Sequence, residues 1–145
     1  MPSPPTTADV IKTLFDMRAT GRSPQDIALL FSEEVDWFVA GDTAHVPWIG
    51  RKTGRTGVIA FHQELPGYLE VEKLDVRSIM VDGDRGVALG ELRSRYRPNG
   101  ALMETAFCFD ITVRDGLIVR FRVLEDSFNV SQAVRQERIR AFTQD

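Results

Sequence analysis

The chain has 145 residues, 43% hydrophobic and 27% charged, with a formal net charge of −3. That length supports one domain with a sizeable core, expected over residues 7–145 behind a short disordered tail over residues 1–6. No basic cluster points to nucleic acid, no apolar run is long enough to span a membrane, and one cysteine, Cys108, excludes an internal disulfide and fits a reducing compartment.

Met1-Pro2-Ser3-Pro4-Pro5 lacks the basic and apolar regions of a signal peptide. Thr7 or Asp9 can cap a first helix. Val10, Ile11, Leu14, Phe15 and Met17 or Arg18 recur along it at helical spacing, and Gly21 stops it. Ser23-Pro24-Gln25-Asp26 opens a second, short helix, with Ser as cap and Pro in the first turn. Val35–Val39 reads as a strand with Val35, Trp37 and Val39 on one face. Ala40 to Gly57 is rich in Gly, Pro and Thr and reads as a loop. Val58 to Leu65 reads as a helix that Pro66-Gly67 ends.

From Val71 the period is mostly two. Strands are expected over Val71–Val81 and Gly86–Arg97, joined by Asp82-Gly83-Asp84. The stretch Ala101–Asp126 holds two period-2 runs around Arg114-Asp115-Gly116, a hairpin signal. A turn with Gly116 as a bulge residue pairs Val113 with Leu117. Met103, Phe107, Phe109, Ile111, Val119, Phe121 and Val123 then share one apolar face. Glu104, Cys108, Asp110, Thr112, Arg120 and Arg122 share the other, with Asp110 opposite Arg120. A two-residue Asp-Gly loop would mix both faces, so the bulged register is preferred. Asp126 or Ser127 caps a final helix expected to reach about Phe142.

The loop Arg97-Pro98-Asn99-Gly100-Ala101 allows two registers. With Gly100 as a bulge, Arg97 pairs with Ala101 and Arg93 with Thr105. Glu91 and Arg93 then join the aromatic face. With a two-residue Asn-Gly loop, Leu92, Ser94 and Tyr96 face inward, while Glu91, Arg93 and Arg95 face outward. The first is preferred.

Helices first, strands after, is the α+β pattern. This order resembles the SnoaL-like polyketide cyclase group of the nuclear transport factor 2-like superfamily, ketosteroid isomerases included. The loop-helix Val46-Pro47-Trp48-Ile49-Gly50-Arg51…Val58-Ile59-Ala60-Phe61 and the later Val113–Arg122 carry the resemblance. It implies a cone-shaped, curved mixed sheet, largely antiparallel, with the N-terminal helices over its concave face. It further implies a pocket beneath the helices and a homodimer through the outer sheet face. The known acids do not carry over. Ketosteroid isomerases place a donor tyrosine where this chain has about Leu14, a base near Val39 and an oxyanion-hole acid near Phe109. The second aspartate of limonene epoxide hydrolases falls at Val123. Their Arg-x-Asp pair falls on Gly90 and Leu92, or on Glu91 and Arg93 with one residue deleted.

A carboxylate in a mostly apolar pocket can serve as a general acid or base, which makes Glu91 the candidate, with Arg93 holding it. A structural Glu91–Arg93 pair is the bland alternative. His45, in the loop at the pocket mouth, could shuttle protons; His62 is read as a surface residue. The expected pocket wall is Leu14, Trp37, Val39, Trp48, Phe61, Thr105, Phe107, Phe109, Phe121 and Val123. Two histidines without carboxylates at ligand spacing give no metal signature, and no cofactor is expected. The reading is a cytoplasmic protein that binds a small apolar or amphipathic molecule. Its chemistry would be that of a cofactor-independent isomerase, cyclase, dehydratase or hydrolase. The alternative is a non-catalytic ligand-binding or assembly module on the same fold.

Overall fold

The computed structural model describes residues 3–136. Met1 and Pro2 of the expected tail, and Ile139 and Phe142 of the expected last helix, lie outside them. Ten elements follow in order: α1 (Thr7–Ala19), α2 (Pro24–Ala28), β1 (Phe31–Val39), β2 (Gly50–Thr53), α3 (Gly54–Tyr68), β3 (Leu69–Asp82), β4 (Arg85–Tyr96), β5 (Leu102–Arg114), β6 (Leu117–Glu125) and α4 (Ser127–Arg135). The strands form one mixed sheet in the order β2-β1-β6-β5-β4-β3. Neighbours are antiparallel except β1 and β6, which run parallel with Trp37 beside Phe121 and Val39 beside Val123. The architecture is α+β. None of the described helices is long and apolar enough to cross a membrane.

Local chemistry explains the helix starts. Thr6, one residue before the expected caps, accepts from the Asp9 N–H at 3.1 Å, and Asp9 returns the bond to the Thr6 N–H. Ser23 caps α2 with Pro24 behind it. The stretch read as the loop Ala40–Gly57 contains β2 and the first turn of α3. β2 is only four residues long and lies at the sheet edge, so no period marks it. Helix α3 also runs past Pro66 to Tyr68. Its last carbonyls are satisfied from the β4–β5 loop, where Arg97 donates through Nε to the Pro66 carbonyl at 2.7 Å and through its backbone N–H to Tyr68 at 2.8 Å.

The core lies between the helices and one sheet face. Phe15 of α1 stacks on Phe109, Phe61 of α3 lies 4.8 Å from Trp37, and Trp37 stacks on Phe121 at 4.2 Å. The β5–β6 hairpin delivers these rings by a route the sequence reading did not choose. Asp115 and Gly116, both at positive φ, form a two-residue turn that pairs Arg114 with Leu117. A bulge between Thr112 and Val113 then restores the parity, with Asp110 opposite Arg122 rather than Arg120. The apolar and charged faces therefore separate as expected except at the bulge, where Ile118 rather than Val119 joins the buried face.

The β4–β5 register goes the other way. Glu91 pairs with Ala106 and Arg93 with Glu104, so Gly86, Ala88, Gly90, Leu92, Ser94 and Tyr96 face the helices. The loop has four residues, Arg97–Gly100, closed by Tyr96 N–H to Ala101 O at 2.8 Å. A tertiary contact fixes it. Asn99 is buried and donates to the carbonyls of Ala133 and Gln136 at the end of α4, while its oxygen accepts from the Ala101 N–H. Small residues on β4 let α1 sit close: a Cβ on Gly86 would come within 2.5 Å of Ile11.

The outer face is laced with ion pairs. Asp110 meets Arg85 at 2.7 Å and Arg120 at 3.4 Å, and Asp36 meets Arg122 at 2.8 Å as well as Arg51. The Arg122 hydrogen bond holds the Asp36 carboxyl below the usual carboxylate range.

Candidate functional site

Between α1, α3 and the inner sheet face lies a cavity of about 860 Å³. Trp37, Val39, Trp48, Phe61, Phe109 and Val123 line it. Leu14, Phe107 and Phe121 are buried behind this lining. Thr105 is buried too, but its hydroxyl accepts from the Asp126 N–H at 2.8 Å and holds the β6–α4 junction.

The three residues given chemical roles from the sequence stand elsewhere. Glu91 and Arg93 lie on the opposite face, 49% and 44% exposed, paired with Arg77 at 2.9 Å and Glu72 at 3.3 Å. The parity of the four-residue loop put them there. His45 is 51% exposed on the β1–β2 connection, outside the lining. Its Nδ1 is 2.9 Å from the Asp42 carboxylate, which also accepts from the Ser131 hydroxyl at 2.6 Å. The Ser131 bond, then that of His45, holds Asp42 below its ordinary range.

Other polar residues do line the cavity: Arg18, His62, Glu125 and the buried Ser94, with Asp16 and Arg22 also on its wall. Arg18 comes from the last turn of α1, where Leu14 and Ile11 set the inward stripe one and two turns earlier. Its Nε donates to His62 Nε2 at 3.2 Å, and its guanidinium lies 5.5 Å from the Phe109 ring centre. His62 Nδ1 lies 2.8 Å from the Val58 carbonyl. A carbonyl only accepts and an arginine Nε–H only donates, so the imidazole is neutral with its proton on Nδ1. Burial first, and the Arg18 charge second, push its pKa down to about 3. Burial also lowers Arg18 to about 10.

Glu125 ends β6, two residues beyond Val123 and four beyond Phe121, so the pleat turns it inward. Burial pushes its carboxyl up to about 7. Both signals stood in the sequence. Arg18 continues the α1 stripe, and Glu125 continues the inward row of β6. Charge at a core-facing position was the mark to look for. Among the described residues, no group of three or more His, Cys, Asp or Glu side chains is placed to hold a metal ion.

Glu125 has a measurable thermodynamic signature. Its folded-state pKa lies above the unfolded value of 4.5. The stability it contributes is therefore complete below about pH 4.5 and is lost as pH rises through 7. Glu125→Gln should leave stability nearly unchanged at about pH 4. At pH 8 it should raise it by up to about 3 kcal/mol, from 1.36 kcal/mol per pKa unit. Thermal unfolding of both proteins at each pH checks this, and comparison at equal pH cancels the titration of His62. Equal melting temperatures at pH 8 would rule out a desolvated Glu125.

Comparison with known proteins agrees with the fold. Residues 11–121 match the SnoaL-like domain family. An NTF2-like protein from Burkholderia xenovorans LB400 superposes with a TM-score of 0.80 at 19% identity, covering 89% of this chain and 95% of that one. An NTF2-like protein of unknown function from Burkholderia pseudomallei K96243 gives 0.80 at 19% identity, with 90% and 98% covered. TerC, co-crystallised with polyporic acid, gives 0.74 at 20% identity, with 90% and 98% covered. No curated protein matches the chain. The match spans most of the sequence, and the chain belongs to the SnoaL-like domain family.

Proposed function

We propose that the cavity binds a small, largely apolar or amphipathic molecule and moves a proton on it without a cofactor, as an isomerase, cyclase, dehydratase or hydrolase would. Glu125 is the general acid/base. One observation carries this reading: the carboxyl lies on the wall of an apolar cavity and titrates near 7, where it can both give and take a proton. Arg18 would stabilise an oxyanion that forms as a proton leaves carbon. Trp37, Trp48 and Phe61 would exclude water and orient the ligand.

The test is hydrogen exchange in deuterated buffer. Small cyclic ketones and enones are incubated with the protein and followed by NMR. Enzyme-dependent exchange at a carbon next to the carbonyl is the expected result. Ligands that bind without any exchange or turnover would instead select a non-catalytic binding module on the same fold.

The outer face suits a homodimer. Its charges are mostly paired within the chain, while Leu124 is 53% exposed beside Cys108, whose other neighbour is Leu89. Such a strip can meet its own symmetry mate in an isologous contact. Leu124→Arg should turn a dimer into a monomer in light scattering at micromolar concentration. A wild type that is already monomeric there would end the proposal.

A further inference from the structure

Among the described residues, Arg18 is a cation without a counter-ion. Arg22, Arg51, Arg77, Arg85, Arg93 and Arg122 each touch a carboxylate. Arg18 makes no such pair among the described residues; its neighbours are two aromatic rings and a neutral imidazole. A largely desolvated arginine ordinarily pairs with an acid, because an uncompensated charge is costly. The His62 bond occupies Nε and leaves both terminal nitrogens of the guanidinium without a hydrogen-bond acceptor among the described residues. Those two nitrogens form the fork that takes a carboxylate through two parallel bonds. His62 cannot supply the missing charge, and its Val58 bond fixes the ring that aims the fork. Most of the wall is apolar, with Phe15, Trp48, Leu65, Leu92 and Met103 facing the same space.

We infer that the cavity recognises a small aromatic or alicyclic carboxylate, its acid group held by Arg18 and its ring system by the apolar wall. The inference rests on the reading of the cavity as a ligand site and names its ligand class. It also assigns Glu125 a second part. While protonated, Glu125 adds no charge to the cavity and can donate a hydrogen bond. Once ionised, it places a second negative charge in the same cavity, which repels the ligand's carboxylate. The other charged groups facing this space are Asp16 and Arg22 at its mouth, and His62 stays neutral from pH 6 to 8.5. Binding of the acid therefore weakens as pH rises through 7.

Isothermal titration with 1-naphthoate and its neutral isostere 1-naphthamide tests this. At pH 6 the wild type should bind naphthoate at least tenfold more tightly than naphthamide, and the preference should shrink at pH 8.5. Arg18→Met should abolish the preference and raise the melting temperature of the free protein, since it removes a buried charge. A naphthamide affinity equal to or above that of naphthoate overturns the ligand class and leaves the cavity reading standing. Failure of both to bind at millimolar concentration overturns both. An Arg18→Met protein that melts lower and keeps the preference makes Arg18 a mere support for His62, which also overturns the inference. If that variant does not fold, the Nε–H resonance of Arg18 decides: naphthoate must shift it and naphthamide must not.

Discussion

Glu125→Gln should slow any turnover found by about 10²–10⁴-fold, the usual loss for a positioned acid/base. The amide keeps the size and hydrogen-bonding shape of the acid but cannot exchange a proton near neutral pH. The fold should survive, because no hydrogen bond or ion pair of the Glu125 side chain is among those that hold the described structure, and burial alone perturbs its titration. Binding of a neutral ligand should change little, so the loss appears in kcat rather than KM. The wild-type rate should also bend near pH 7. It falls above that pH if the step needs the acid and below it if the step needs the base. Full turnover by Glu125→Gln, with the exchange assay positive in the wild type, would move the chemistry to another group. Glu91→Gln is the informative control: its carboxylate faces away from the cavity and pairs with Arg77, so turnover should be unchanged.

The largest stability effect is expected from Gly90→Ala. A Cβ there would lie 2.0 Å from the Asp75 carbonyl oxygen and 2.6 Å from Phe107 Cζ. The first neighbour is backbone of the adjoining strand, so no rotamer change relieves the contact. β3 must move away from β4, next to an irregular stretch between Val76 and Ser78. Phe107 must leave the packed face as well. Overpacking typically costs about 1–3 kcal/mol, and a contact with fixed backbone puts this one at or above the upper end, a large part of the total stability of a domain this size. Urea denaturation should show the midpoint falling with little change in slope. Gly67→Ala in α3 meets nothing within 4 Å and should be neutral or slightly stabilising. If the two variants unfold at the same midpoint, β4 does not approach β3 and Phe107 this closely.

How much of this was written in the chain differs from element to element. The caps Ser23 and Asp126 were legible because they satisfy backbone groups three residues away. The segregation of Phe107, Phe109, Phe121 and Val123 from Cys108 and Asp110 was legible because a strand has period two. It survived even though the turn and the bulge stood elsewhere than expected. β2 was invisible, since four residues at an edge carry no period. The candidate site was half legible. Its aromatic wall followed from alternation. Its chemistry did not, because Glu91 and Glu125 are both acids on strands of clear period, and only register tells which one turns inward.

By itself, then, the sequence determined the order of the helices and of the longer strands, most of the apolar face of the last hairpin and the family resemblance. Those depend on local propensity and on periods counted along the chain. Only the tertiary structure decided the register of β4 on β5. Turn chemistry at Pro98-Asn99-Gly100 permits several loops of similar energy. The choice falls to Asn99, whose amide reaches the end of α4 more than thirty residues away, and to Gly86 and Gly90, whose missing side chains admit α1, β3 and Phe107. A shift of one residue turns a whole strand over, so contacts distant in sequence removed Glu91 and Arg93 from the cavity, while Arg18, His62 and Glu125 line it.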